Sequence, residues 1–271
     1  MTDDDLSAGW TLALSGERAP IERALAAGSR LPGPRANLEL AGRFAETVAE
    51  APGDRAAAIV VLAGWLAAPP RLAAPLPAGT EEFLPACAAL AAGAVAARAV
   101  ADGGTLPDDA VGLLTTAAGD DRWRVRELAA TGLQRVLAAD WTAGLRQAEV
   151  WLRSADPLRM RAAVAAVAEP PLLRDPRHAA DAATVVTAAC DALLALPAPQ
   201  RRADDVRVLR KALGYAISVV AAADPEAGLP LLQRLAASAD PDARWLAREN
   251  LAKARLKPFA DRLAAAREAV G

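Results

Sequence analysis

Apolar residues along this chain recur at helical spacing, and Pro and Gly cut the pattern into helix-sized pieces. From Asp121 onward, Val125, Leu128, Ala129, Leu133 and Val136 fall at i, i+3, i+4, i+8 and i+11, one continuous stripe. The segment beginning near Asp205 repeats the device with Val206, Leu209, Leu213, Ile217 and Val220. Upstream, the pattern predicts helices near 3–14, 19–28, 35–50, 54–68 and 80–101. Pro32-Gly33-Pro34, Pro52-Gly53, Pro69-Pro70 and Asp102-Gly103-Gly104 break them, with a Pro-rich connector over about 69–79. Downstream, helices are predicted near 141–154, 157–168, 177–196, 225–237 and 241–256, with a last one from about 258. No credible strand is present.

The helix starts repeat as well. Asp121 is followed by Arg126, Asp156 by Arg161, Asp205 by Arg210 and Asp240 by Arg244. Each Asp stands at a predicted helix N-terminus, where a carboxylate caps exposed amides and meets the positive end of the helix dipole. Each Arg sits one turn further in, within reach of the Asp of its own or an adjacent repeat. Successive Arg positions are 35, 49 and 34 residues apart, the size of a two-helix repeat with variable loops. Over about 110–256 this arrangement resembles the HEAT-repeat signature. The resemblance implies an all-α fold, a right-handed α-solenoid of HEAT-like helical hairpins over 105–271. Residues 1–104 would form an N-terminal helical region that caps or extends it. Such repeats gain their stability by stacking on neighbours.

Composition agrees with close helix packing. Apolar residues make up 54% of the 271 and aromatic ones only 4%, so Ala, Leu and Val carry the core. The longest uncharged apolar run, Ala86 to Ala97, is well short of the ~20 residues that span a bilayer. The acidic start, Thr2-Asp3-Asp4-Asp5, is the opposite of a signal peptide's basic one. Two distant cysteines, Cys87 and Cys190, lie in Ala-rich helical stretches and are expected to be buried free thiols in a reducing cytoplasm. The net charge of −2 divides unevenly: residues 1–110 carry −6 and residues 111–271 carry +4.

Candidate chemistry is sparse. His178 is the single histidine, with no second one to share a metal site. There is no Gly-rich phosphate loop, nucleophile elbow or Cys-x-x-Cys, and no cofactor is implied. The acidic pairs Asp108-Asp109, Asp120-Asp121 and Asp204-Asp205 stand at helix starts, where capping accounts for them. Trp10, Trp65, Trp141 and Trp151 fit core positions. Trp123 and Trp245 adjoin repeat arginines, which reads either as stacking within a ladder or as an aromatic–basic surface.

The basic segments are the strongest functional lead. Arg122, Arg124 and Arg126 cluster at one helix start and Arg159 and Arg161 at the next. Arg201, Arg202, Arg207, Arg210 and Lys211 surround another. In a HEAT stack these starts either align into a positive stripe or form a solvated face interleaved with Asp and Glu.

Two resemblances bear on function. Asp121-Arg-Trp-Arg-Val-Arg-Glu-Leu-Ala129, Asp156-Pro-Leu-Arg-Met-Arg-Ala-Ala163, Arg210-Lys-Ala-Leu-Gly-Tyr-Ala216 and Arg244-Trp-Leu-Ala-Arg-Glu-Asn250 look like bacterial HEAT-repeat proteins of unassigned function. The same stretch is distantly similar to the AlkD-type alkylpurine DNA glycosylases, which bind damaged DNA in a basic cleft. In that register Tyr215 takes the place of a cleft aromatic, and Arg161 matches the family's supporting Arg. Arg122 and Arg126 fall where the family has its Trp and catalytic Asp. A cation in place of that carboxylate reverses the electrostatics needed for base excision. The expectation is therefore a non-catalytic scaffold for a protein partner, with no membrane association. The alternatives are a DNA-binding relative of the glycosylases and a divergent glycosylase or other enzyme whose site the sequence does not reveal. Candidate contact residues for the scaffold or the DNA binder are Arg122, Trp123, Arg126, Arg161, Arg207, Arg210, Lys211 and Tyr215.

Overall fold

The computed structural model describes residues 1–53, 55–68 and 79–271, and among these every regular element is a helix. In chain order they are α1 (Asp3–Leu14), α2 (Ala19–Gly28), α3 (Leu38–Glu50), α4 (Arg55–Ala67), α5 (Phe83–Ala101), α6 (Asp108–Ala118) and α7 (Trp123–Ala139). There follow α8 (Trp141–Arg153), α9 (Pro157–Val167), α10 (Pro176–Ala195), α11 (Asp204–Ala223), α12 (Pro225–Ala236), α13 (Pro241–Leu251) and α14 (Ala264–Val270). The predicted connector, apart from Gly79, lies outside the described residues. The chain forms two compact units, Met1–Gly144 and Leu145–Gly271. Their boundary falls inside α8, well beyond the change of sequence pattern at 104/105.

Local chemistry sets several helix starts. Thr2 forms a capping box with Asp5, and Asp156, Asp175, Asp224 and Asp240 each cap a helix that opens with Pro. Four ends differ from the sequence reading, the first being α5, which starts at Phe83 rather than near 80 because Thr80–Glu82 form a 3₁₀ turn. Helix α3 starts at Leu38 rather than near 35, because the Asn37 carboxamide accepts from the Leu40 N–H and donates to the Gly28 carbonyl. Helix α13 stops at Leu251, and a 3₁₀ segment containing Pro258 follows over Ala254–Phe259. The last helix consequently begins at Ala264 instead of about 258. Asp121 does not cap α7: the Asp120 carboxylate accepts the Arg122 N–H at 2.8 Å instead. Asp205 lies inside the first turn of α11.

In the first unit, α5 is apolar all round and is enclosed by α3, α4, α6 and α7. Its 19 residues are long and apolar enough to cross a bilayer, which the shorter uncharged run does not suggest, but 83% of that window is buried within the protein. Small residues let α5 and α7 touch backbone to backbone. A Cβ on Gly93 would lie 2.2 Å from Gly132 Cα, so only glycine fits this crossing. Beneath α1 to α4, Trp10, Phe44 and Trp65 pack with ring centroids 5.5–6.1 Å apart. The buried Trp65 indole donates to the buried Glu22 carboxylate at 2.7 Å.

In the second unit, α11 lies between α9 and α13 and also packs on α10 and α12, while α12 contacts α10 and α14. Odd- and even-numbered helices thus fall into two rows. One buried polar side chain ties α11 to α13. The Asn250 carboxamide accepts the Ser218 N–H at 2.8 Å and donates to the Leu213 carbonyl at 3.0 Å. It therefore bonds two backbone groups in the middle of α11. Trp151 and Cys190 are fully buried, and Trp141, read as core, is only half-buried in the first unit.

Candidate functional site

The start of α7 is fixed from within. Arg122 curls back onto Asp120, its Nε donating at 2.7 Å and its Nη2 at 2.5 Å, and also reaches the Leu66 carbonyl at 2.8 Å. These bonds to Asp120 raise the Arg122 pKa further. Burial pushes the Asp120 carboxyl up, but the Arg122 hydrogen bonds outweigh it and hold the group below the ordinary carboxylate value of 3.8. Arg126 is only 9% exposed and donates to the Asp120 backbone carbonyl. Two of the proposed contact arginines therefore build the helix start, Arg126 buried and Arg122 half-buried.

With its neighbours turned inward, Trp123 is left on the outside. It is 51% exposed, and the Arg124 guanidinium lies 4.5 Å from its ring centroid. Trp123 lines a cleft of about 490 Å³ with Leu38 at the start of α3, Ala86 of α5 and Leu128 of α7. Leu38 is 62% exposed because it precedes the buried stripe of Leu40, Ala41, Phe44, Ala45 and Val48. The remaining wall is the loop between α2 and α3, which contributes Arg30, Pro34 and Arg35.

That loop is tightly braced. Leu31 is buried and its N–H meets the Ser29 hydroxyl at 3.1 Å, while the Asn37 N–H donates to the Ser29 carbonyl at 2.8 Å. Arg30 has φ 62°, and the turn closes through the Gly33 N–H to the Arg30 carbonyl at 3.0 Å. A Cβ on Gly33 would lie 2.6 Å from that oxygen. Arg124 ties the loop to α7, pairing with Glu82 at 2.7 Å and approaching the Gly33 carbonyl at 3.4 Å.

The other sequence-predicted residues lie in the second unit. Arg210 pairs with Asp242 and stacks over Trp245 at 4.8 Å, and Trp245 in turn packs against Gly214. Arg201 bridges Asp240 at 2.6 Å and Asp242 at 3.4 Å. Arg201 and Arg210 thus both reach acids at the start of α13, Arg210 meeting Asp242 rather than the capping Asp240, while Arg244 donates to the Ala269 carbonyl. Arg161 is half-buried on α9. Arg207, Lys211 and Tyr215 are exposed at i, i+4 and i+8 of α11, and Arg207 pairs with Asp204, itself 95% exposed. The Arg255 guanidinium lies 4.4 Å over the Tyr215 ring and donates to its hydroxyl at 2.6 Å.

Leu38, Arg30, Arg35 and Arg255 went unnoticed in the sequence. Only Leu38 left a trace there, as an apolar residue off the stripe of its own helix. Cys87 and Cys190 are buried free thiols whose pKa values burial raises, to about 12 for Cys190. His178 is half-buried, with Nδ1 3.1 Å from the Leu172 carbonyl. Among the described residues no three His, Cys, Asp or Glu side chains are grouped to hold a metal ion. Comparison with models of protein families finds no match, and comparison with curated proteins finds no similar sequence.

Proposed function

We propose that this chain is a non-catalytic binding scaffold of HEAT-like hairpins that engages a protein partner at the cleft beside Trp123. The observation that carries the reading is the pairing of two large exposed apolar side chains, Trp123 and Leu38, in one cleft with arginines at its edge. Aromatic and Arg side chains are enriched where proteins bind one another. The HEAT-like reading is supported in the second unit by the two helix rows and by the Arg201 and Arg210 links to Asp240 and Asp242. Arg126, at the position of the glycosylases' carboxylate, is buried and bonded to a carbonyl, which speaks against base excision. The two buried free thiols support a reducing, cytoplasmic setting.

A second reading, DNA binding, is favoured by the exposed Arg207, Lys211 and Tyr215 with Arg255 stacked on the ring. Affinity capture with the intact chain separates the two. A protein scaffold retains a polypeptide after nuclease treatment and loses it in Trp123→Ala. Retention that vanishes on nuclease treatment, with salt-sensitive binding of a labelled duplex that weakens in Lys211→Glu, would replace the first reading with the second.

A further inference from the structure

Resting on that reading, we infer that the Trp123 cleft takes an acidic–apolar peptide segment. A bulky apolar side chain lies against Trp123 and Leu38, and adjacent carboxylates meet Arg30 and Arg35. The charge pattern of the first unit carries the argument. This unit holds 18 acidic and 12 basic side chains, so carboxylates outnumber cations within it. Arg43, Arg55, Arg98, Arg122, Arg124 and Arg135 each pair with one. Arg18, Arg23, Arg30 and Arg35 form no ion pair among the described residues, and of these four the exposed Arg30 and Arg35 line the cleft.

The braced loop fixes the backbone from which both side chains extend. Guanidinium groups pair carboxylates in planar, two-pronged fashion, and a braced backbone spares the ordering cost of the loop on binding. The cleft also carries the opposite sign. Glu39 and Glu127 line it from α3 and α7. They repel a continuous polyanion such as nucleic acid and favour a segment whose acid is confined to the loop side. The exposed Trp123 and Leu38 add an apolar surface that a nucleic-acid backbone does not match.

The test uses the full chain labelled with ¹⁵N and three synthetic peptides of equal length. One carries a Phe flanked by Asp and Glu, one has those acids changed to amides, and one keeps the acids but replaces the Phe with Ser. The Trp123 indole signal, assigned by its loss in Trp123→Phe, should shift with the first peptide. That peptide should bind about tenfold more tightly than either control. The Arg30→Glu, Arg35→Glu double variant should lose about tenfold in affinity for it and gain affinity for a Lys-flanked version. Both substitutions are on exposed side chains, so an unchanged melting temperature verifies the fold. Equal binding of acidic and amide peptides, indifference to the charge reversal, displacement of the peptide by a DNA duplex, or no Trp123 shift at millimolar peptide would overturn the inference. A captured partner that depends on Trp123 but not on Arg30 and Arg35 would sink the acidic assignment while leaving the scaffold reading intact.

Discussion

Gly93→Ala tests how the first unit holds its cleft. The substitution places a Cβ 2.2 Å from Gly132 Cα and 2.6 Å from the Gly132 carbonyl carbon and oxygen. Ordinary contact begins at 3.4 Å, which is 1.2 Å further than the crossing allows, so α5 and α7 must part. A gap of 0.5–1 Å already costs a quarter to a half of each dispersion contact along the interface. Overpacking against side chains costs roughly 1–3 kcal/mol, and backbone cannot rotate away, so about 3 kcal/mol is expected. The better helix propensity of Ala returns about 0.5–1 kcal/mol. The net loss is about 2–2.5 kcal/mol, or about 4–10 °C in melting temperature for a unit of this size. Gly112→Ala is the matched control, exposed in α6 with nothing within 4 Å of its Cβ, and it should stabilise by up to about 1 kcal/mol. The readouts are thermal and urea unfolding together with hydrogen exchange over α5 and α7. Gly93→Ala melting at or above the parent, or Gly112→Ala losing as much, would refute the backbone-contact reasoning.

Other consequences follow from single contacts. Asn250→Ala removes both buried bonds to the α11 backbone and should cost about 1–3 kcal/mol in urea unfolding, with a loss below about 0.5 kcal/mol contradicting their contribution. Burial keeps Cys87 and Cys190 protonated, so a thiol reagent at pH 8 should label neither at an appreciable rate until urea unfolds the chain. Rapid labelling of the native protein would count against their burial. Asp120 has a lowered folded-state pKa, so its stabilisation is present above its ordinary value and is lost as pH falls through the lowered one. The stability gap between the parent and Asp120→Asn should accordingly shrink below pH 3.8, and a gap constant with pH would show that the Arg122 pair contributes nothing.

Helix existence was legible because stripes such as Val206, Leu209, Leu213, Ile217 and Val220 leave one face to bury, and α11 buries all five. Helix ends were legible where an Asp–Pro pair marks them, as at Asp156 and Asp240. They were not where a choice depends on distant chain. Asp120 and Asp121 offer the same local chemistry, and Asp120 holds the position with Arg122, which also bonds Leu66 of the α4 end. The burial of Arg126 is likewise a tertiary outcome, since the residue sits beside Val125 on the core edge of its helix. The cleft was invisible for the same reason. Leu38 and Trp123 belong to helices far apart in the chain, and only the α3–α5–α7 packing brings them to one opening.

Site-specific photo-crosslinking from position 38 bears most directly on the central claim. A photoreactive amino acid replaces Leu38 in the full chain, expressed in cells and irradiated there. The account predicts a discrete polypeptide adduct that disappears in Trp123→Ala and persists when Lys211 is changed to Glu. No polypeptide adduct from position 38, together with nucleic-acid adducts from the same probe at position 211, would contradict it.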